Sequence, residues 1–295
     1  MRSDSPSVVA LGGGHGLAAS LGAIRRYADV VTAIVSIADD GGSSGRLRSA
    51  YGVAPPGDLR KCLVALAEAD STWGRAFEHR FQGGELDGHA LGNLIIAGLA
   101  AVDGDFEAAL AEAGRLLGIR GTVVPATTEP VVLEAVVHSG DGASRGSVQG
   151  QVAVATAGRI ATVSLVPADA RPPRAALAAL ADADQVVLGP GSLFTSVLAV
   201  AVVPAIREAL EATSAPKVYV SNLRVQQPET AGYDLGAHLD ALAAHGVDVD
   251  VVLAHPGALP RGRVSVEVVE HPVARDDGRA HDPARLASAL QSLVG

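Results

Sequence analysis

One cysteine, one tryptophan and one methionine are all that 295 residues hold of those types, and aromatic side chains make up only 3 %. The lone Cys62 excludes an intrachain disulfide and a thiolate metal cluster, and it reads as a small core residue rather than a nucleophile. Scarce aromatics leave the interior to Ala, Val and Leu, the composition of buried parallel strands covered by Ala-rich helices. No Lys/Arg-rich run with interleaved aromatics occurs and the formal charge is −9, which argues against a nucleic-acid surface. Pro, Gly or charge interrupts every apolar stretch before the roughly 20 residues a bilayer span needs. The N-terminus has no charged n-region, long apolar core or cleavage signal, so a cytoplasmic protein with no membrane partner is expected.

What is present points to one α/β domain over 1–295. Hydrophobic side chains make up 48 %, enough to bury a sizeable core. Ser7 to Leu11 is a short apolar run ending in Gly12-Gly13-Gly14-His15-Gly16, and Leu17 to Tyr27 then has helical spacing. Val30 to Ile37 is β-branched and ends in Asp39-Asp40-Gly41-Gly42-Ser43-Ser44-Gly45, completing a βαβ unit. Helical patterns follow at 58–69 and 89–101. From about 121 to 166 the texture turns β-rich, with Thr122–Val124, Val131–His138, Val148–Ala155 and Ile160–Val166 separated by turns such as Ser139 to Gly142, and predicts an antiparallel excursion. Arg174 to Ala183 returns as helix to a strand, Gln185 to Leu188, which ends in Gly189-Pro190-Gly191-Ser192. Lys217–Ser221 and Val249–Ala254 are further buried strands, with helix at 237–245 between them and at 284–294. The expected fold is a Rossmann-like parallel sheet with helices on both faces.

Glycines directly after a strand let the backbone turn tightly and expose N–H groups, and the helix that follows adds a favourable partial charge for an anion. Gly13, Gly14, His15 and Gly16 fit that pattern, although a plain glycine turn has the same spelling. Leu17 stands where the dinucleotide fingerprint has its third glycine, and no Gly-Lys-Ser/Thr ending marks a P-loop. His15 can hydrogen-bond phosphate, move a proton, or simply be tolerated in the loop.

Asp39 and Asp40, just past the second strand, face the carboxyl edge where open α/β sheets bind ligands. One acid there can contact a ribose hydroxyl; the pair, with Asp58 as a third, can instead hold Mg²⁺ beside phosphates, or merely cap helices. Ser43, Ser44, Arg46 and Arg48 add hydroxyls and guanidinium forks suited to an anionic ligand, or form a solvated turn. Gly191 and Ser192 offer a second set of backbone donors, and Asn222 ends the next strand, where an amide can read a base or a sugar. Ser192 lacks the Gly-x-Ser-x-Gly elbow, so no hydrolase triad is expected. A nicotinamide dehydrogenase, suggested by an acid about 25 residues past Gly14, meets the missing third glycine.

In order along the chain, GGGHGL at 12–17, ADDGGSSGRLR at 38–48, PPGDLRKCLVAL at 55–66, GHALGNLIIAGL at 88–99, GPGSLFTSV at 189–197 and QPETAG at 227–232 resemble the YvcK (gluconeogenesis factor) branch of the CofD-like superfamily. The resemblance covers nearly the whole chain. It implies a Rossmann-like core, binding of UDP-sugars such as UDP-N-acetylglucosamine, and a role in cell shape, peptidoglycan synthesis and growth on gluconeogenic carbon. By motif it assigns ligand contacts to Gly13, Gly14, His15, Gly16, Asp39, Asp40, Asn93, Gly191 and Ser192, with Asn222 and Thr230 in the matching C-terminal region and Arg279 and His281 ranked below them. His15 replaces the family's usual threonine. The sister branch, CofD itself, transfers a phospholactyl-type group from a guanosine-linked donor to a deazaflavin with Mg²⁺. Here Ser36-Ile37-Ala38 precedes the acids and Pro55-Pro56-Gly57 replaces the later Ser-Pro-Asp run, which favours a regulatory UDP-sugar binder over that transferase. A homodimer is the expected assembly.

Overall fold

A run of apolar residues with no polar alternation is satisfied only in a strand covered on both faces, and Val8, Val9, Ala10 and Leu11 of β1 (Ser7–Gly12) have no exposed surface. The computed structural model describes residues 5–138 and 145–294. From β1 the chain passes through α1 (Gly14–Ile24), β2 (Val30–Val35), α2 (Gly42–Tyr51), α3 (Gly57–Leu66), α4 (Thr72–Glu78), α5 (Leu91–Asp103) and α6 (Phe106–Leu117) to β3 (Thr122–Pro125). Next come β4 (Val132–His138), β5 (Arg145–Gln149), α7 (Gln151–Ala157), β6 (Ile160–Val166), α8 (Arg174–Ala181) and β7 (Gln185–Leu188). A π-helical segment, Leu193–Leu198, runs straight into α9 (Ala199–Ala201), followed by α10 (Pro204–Ala212), β8 (Lys217–Val220), α11 (Leu235–Ala244), β9 (Val251–Ala254), β10 (Glu267–Glu270) and α12 (Pro283–Gln291).

Seven of these strands form one parallel sheet in the order β10-β9-β8-β7-β1-β2-β3. The sequence runs outward from β1 through β2 to β3, then restarts at β7 on the other side of β1 and runs outward again. Right-handed crossovers therefore put α1 on one face, where α3 and α12 pack on it, and the π-helical segment, α9, α8 and α10 on the other. Between β1 and β7 the winding reverses, which opens a crevice at their carboxyl ends. Among the described residues no single helix is long and apolar enough to cross a membrane.

The antiparallel excursion is a three-stranded sheet, β5-β4-β6, covering 132–166. Thr122 to Val124 instead pairs with β2 as the edge of the parallel sheet. Val148 to Ala155 divides into the end of β5 and most of α7, the change falling at Gly150, whose φ of 98° breaks the strand. The turn at Ser139 to Gly142 lies outside the described residues. Further differences are that Gly42 to Tyr51 is a helix rather than a loop and that β10 adds an outer strand.

His238 and His281 are buried in this fold. His238 bonds the Tyr219 hydroxyl through Nδ1 at 2.8 Å, while its Nε2 and that of His281 are buried without a hydrogen-bond partner. Burial lowers both pKa values from 6.5 to about 4. The unfolded chain thus binds more protons between these limits, so stability is fully present above about pH 6.5 and is lost as pH falls toward 4, at up to about 1.4 kcal/mol per pH unit per histidine. Asp39 and Glu229, whose pKa values burial raises, oppose this at the acid end. Urea titrations from pH 7 to pH 4.5 should show a falling midpoint; a flat or rising midpoint would contradict the assignment.

Candidate functional site

The two central turns are built against each other. After β1, Gly12 has φ 150°, Gly13 is extended, and Gly14 at φ 62° starts α1. After β7, Gly189 and Gly191 have φ 76° and 138°. The Gly189 amide donates to the Leu11 carbonyl at 3.0 Å, and the Ser20 hydroxyl donates to the Gly189 carbonyl at 2.6 Å. A Cβ on Gly16 would lie 2.2 Å from the Pro190 carbonyl oxygen and 2.7 Å from Gly191 Cα. Gly16 is thus required by packing, whatever else it does.

Between the turns lies a cleft of about 420 Å³, with His15, Asp58 and Lys61 on one wall and Ser192, Thr195 and Gln226 on the other. Val152, Ala155 and Thr156 of α7 close it from the antiparallel excursion. A recess of about 270 Å³ continues past His15 and Gly191 to Asn222, Arg224, Arg279 and His281. The amides of Gly14, His15 and Gly16 occupy the first turn of α1, where a helix supplies them no carbonyl, and they give this end of the cleft a partial positive charge. Lys61 adds a full charge, although its Nζ donates to Asp58 Oδ1 at 3.0 Å. Burial, then Lys61, lowers the His15 pKa below its ordinary value. Its imidazole is accordingly neutral near pH 7, able to donate and accept.

The paired acids part company. Asp39 accepts the Gly41 amide at 3.0 Å and lies against Ser44 and Gly57; burial raises its pKa, and the neighbouring Asp58 adds to the shift. Asp40 turns outward, and its Oδ1 accepts the Val152 amide at 3.0 Å, capping α7. Asp39 feels the charge of Asp58, whereas Asp40 is engaged by α7. Among the described residues no group of three or more His, Cys, Asp or Glu side chains is arranged around a cation position. Two carboxylates nevertheless match how Mg²⁺ is held beside phosphates, where water and phosphate oxygens supply the remaining ligands.

The other expected ligand residues hold the scaffold. Asn93, 2 % exposed, accepts from Arg60 Nε and donates to the Ser43 hydroxyl, each at 3.0 Å, and Ser43 also meets His89. Ser44 accepts the Gly57 amide at 3.0 Å, tying α2 to α3. Arg46 is exposed and donates to the Asp87 carbonyl at 2.7 Å. Thr230 accepts the Gln226 amide at 3.0 Å. Asn222 grips the late turn with both amide atoms, accepting from the Gly191 amide at 2.9 Å and donating to its carbonyl at 2.8 Å. Gly13, Gly14, His15, Gly16, Gly191 and Ser192 do line the cleft together.

Three contributors escaped sequence reasoning. Gln226 donates to the Ser192 hydroxyl at 3.2 Å, Gln151 donates to the Thr195 carbonyl at 3.1 Å, and Glu229 accepts the Phe194 and Thr195 amides at 2.7 and 3.0 Å. Glu229 stands inside the QPETAG motif, next to Thr230, so the signal is one residue away.

The family model for the 2-phospho-L-lactate transferase CofD matches residues 8–289. The gluconeogenesis factor of Halalkalibacterium halodurans is 43 % identical over 84 % of this chain and 77 % of its own. A Mycobacterium leprae protein named after that factor is 45 % identical over 98 % of this chain and 86 % of its own. A crystal structure of a UPF0052-family protein from Bacillus halodurans superposes with a TM-score of 0.90 at 35 % identity, covering 98 % of this chain and 99 % of that one.

Two glycines of α1 separate packing from propensity. Gly16→Ala should destabilise by about 1–3 kcal/mol because the added methyl meets backbone. Gly22→Ala, whose Cβ would sit 3.9 Å from the Pro283 side chain, should stabilise by up to about 1 kcal/mol. Equal effects in urea unfolding would show that the turns are not in close contact.

Proposed function

The chain belongs to the CofD family, among the gluconeogenesis factors, and from that premise we propose that it binds a nucleotide sugar of the UDP-N-acetylglucosamine type in the cleft between its two glycine turns. One observation carries the reading: the unpaired amides at the start of α1 open onto the crevice at the point where the sheet's winding reverses. An N-terminus of an 11-residue helix, backed by Lys61, suits a diphosphate. Neutral His15 and the Ser192 and Gln226 side chains along the cleft supply uncharged donors and acceptors suited to sugar hydroxyls, with Asn222 holding the late turn behind them. In this reading the protein acts in the cytoplasm, as a homodimer, in regulating cell shape, peptidoglycan synthesis and growth on gluconeogenic carbon.

The second reading is the Mg²⁺-dependent transfer of a phospholactyl-type group from a guanosine-linked donor to a deazaflavin. Its support is the electrostatic coupling of Asp39 with Asp58, the pair that would hold the ion, with Asp40 engaged by α7. Bound there, Mg²⁺ would offset charge on the donor's phosphates.

Calorimetry with UDP-N-acetylglucosamine should show saturable 1:1 binding, and Lys61→Ala should weaken it on the order of tenfold, the loss of one charge-assisted contact. No heat at millimolar ligand would end the first reading. Chelation separates the two: binding insensitive to chelator supports the regulator, whereas metal-dependent binding of the guanosine-linked donor that Asp39→Asn abolishes, together with product formation, supports the transferase.

A further inference from the structure

The late turn looks like a second anion site, yet three of its amide donors are already used. The Gly191 amide is taken by Asn222, and the Phe194 and Thr195 amides, at the start of the helix that continues through Ala201, are taken by Glu229. Glu229 is only 4 % exposed. Its carboxylate also receives the Thr195 hydroxyl, and Ser192 lies within hydrogen-bonding reach of it. Among the described residues no lysine or arginine is bonded to it, and backbone and hydroxyl dipoles offset the charge. A carboxylate fixed at the start of a helix occupies the place, and supplies the charge, that a bound phosphate would.

We propose that Glu229 is a positioning residue that sets which way a ligand lies across the cleft: it fills the late turn with a built-in anion, so phosphate is confined to the Gly13–Gly16 turn, and it fixes Ser192 to receive the sugar. This rests on the nucleotide-sugar reading and deepens it. A second negative group placed over Thr195 would meet the Glu229 charge, and the Phe194 and Thr195 amides are already engaged by that carboxylate. The side chains that this wall presents to the cleft itself, Ser192, Thr195 and Gln226, are neutral, and the arginines Arg224 and Arg279 stand farther on, in the recess. Ser192 Oγ accepts from Gln226, and Gln226 in turn accepts from Asn222 Nδ2 at 3.2 Å, forming a chain of hydroxyl and amide dipoles anchored on Glu229. Phe, Tyr and Trp are absent from the described lining of both the cleft and its recess, which favours a sugar over a stacked base at this wall. The late glycine turn is thereby reassigned from binding phosphate to reading sugar hydroxyls.

The test compares UDP-N-acetylglucosamine with UDP on wild type and Glu229→Gln by calorimetry, with Glu229→Ala melted in the presence and absence of formate. Glu229→Gln keeps an accepting oxygen and should fold, yet lose at least about tenfold in affinity for the sugar nucleotide while its affinity for UDP stays within about twofold. Formate should raise the melting temperature of Glu229→Ala by a few degrees and leave wild type unmoved, because a small carboxylate can refill the vacated place. Parallel loss of both nucleotides would mark Glu229 as a general structural prop, and an unchanged preference for the sugar nucleotide would remove its role in orientation; either overturns the proposal. Failure of formate to act overturns the built-in anion. Should wild type bind neither nucleotide, the functional reading falls by itself and the formate experiment alone decides whether Glu229 stands in for an anion.

Discussion

The contact between Gly16 and the Pro190 carbonyl is the constraint on which the rest of the site hangs. A Cβ there would overlap backbone at 2.2 Å, so α1 approaches the turn after β7 as closely as two main chains can. That approach lets the Ser20 hydroxyl close on the Gly189 carbonyl and brings the first turn of α1 level with Ser192. Two segments about 170 residues apart become one surface, and the sheet's reversal of winding supplies the gap that a ligand needs. The same closeness makes the cleft rigid where its amides point. Preorganised donors bind without paying the entropy of ordering a loop.

Charge in this protein is managed largely by carboxylates that find backbone amides. Asp40 serves α7, Glu229 serves the helix after β7, Asp105 serves α6 and Asp282 serves α12. Each fills the orphan donors of a helix start, which is the electrostatic preference of those positions. The start of α1 has no such carboxylate: its N-cap is Gly13, which has no side chain to offer, and its first residues border the cleft. Within a chain of net charge −9, the start of α1 and Lys61 are positive features facing the cleft.

Local chemistry made much of this visible in the sequence. The strand at Gln185 to Leu188 has the same limits in sequence and structure, because only four residues, all buried, lie between Asp184 and Gly189. The first glycine turn was legible because strand, glycines and helix are consecutive. The stretch from Ser43 to Arg48, inside α2, reads as a ligand loop or turn because Gly42, Ser43, Ser44 and Gly45 all disfavour helix; the buried bonds of Ser43 and Ser44 to other elements override that preference. β10, Glu267–Glu270, was missed because an outer strand with half-exposed valines carries a weak pattern. Asp40 and Glu229 could be noticed as residues yet not as partners, since the amides they bind lie 112 and 35 residues away. Sequence periodicity carries no information about such pairings.

Asp40 caps α7 from outside the segment that contains it, and Gln151 ties the same helix to the opposite rim. The excursion over 132–166 is therefore not portable. Were it grafted onto another parallel-sheet protein, or exchanged by recombination between relatives, its helix would arrive without its cap and without the carbonyl that Gln151 grips. The turn after β2 and the inserted sheet must be inherited together, as one unit split across the primary structure.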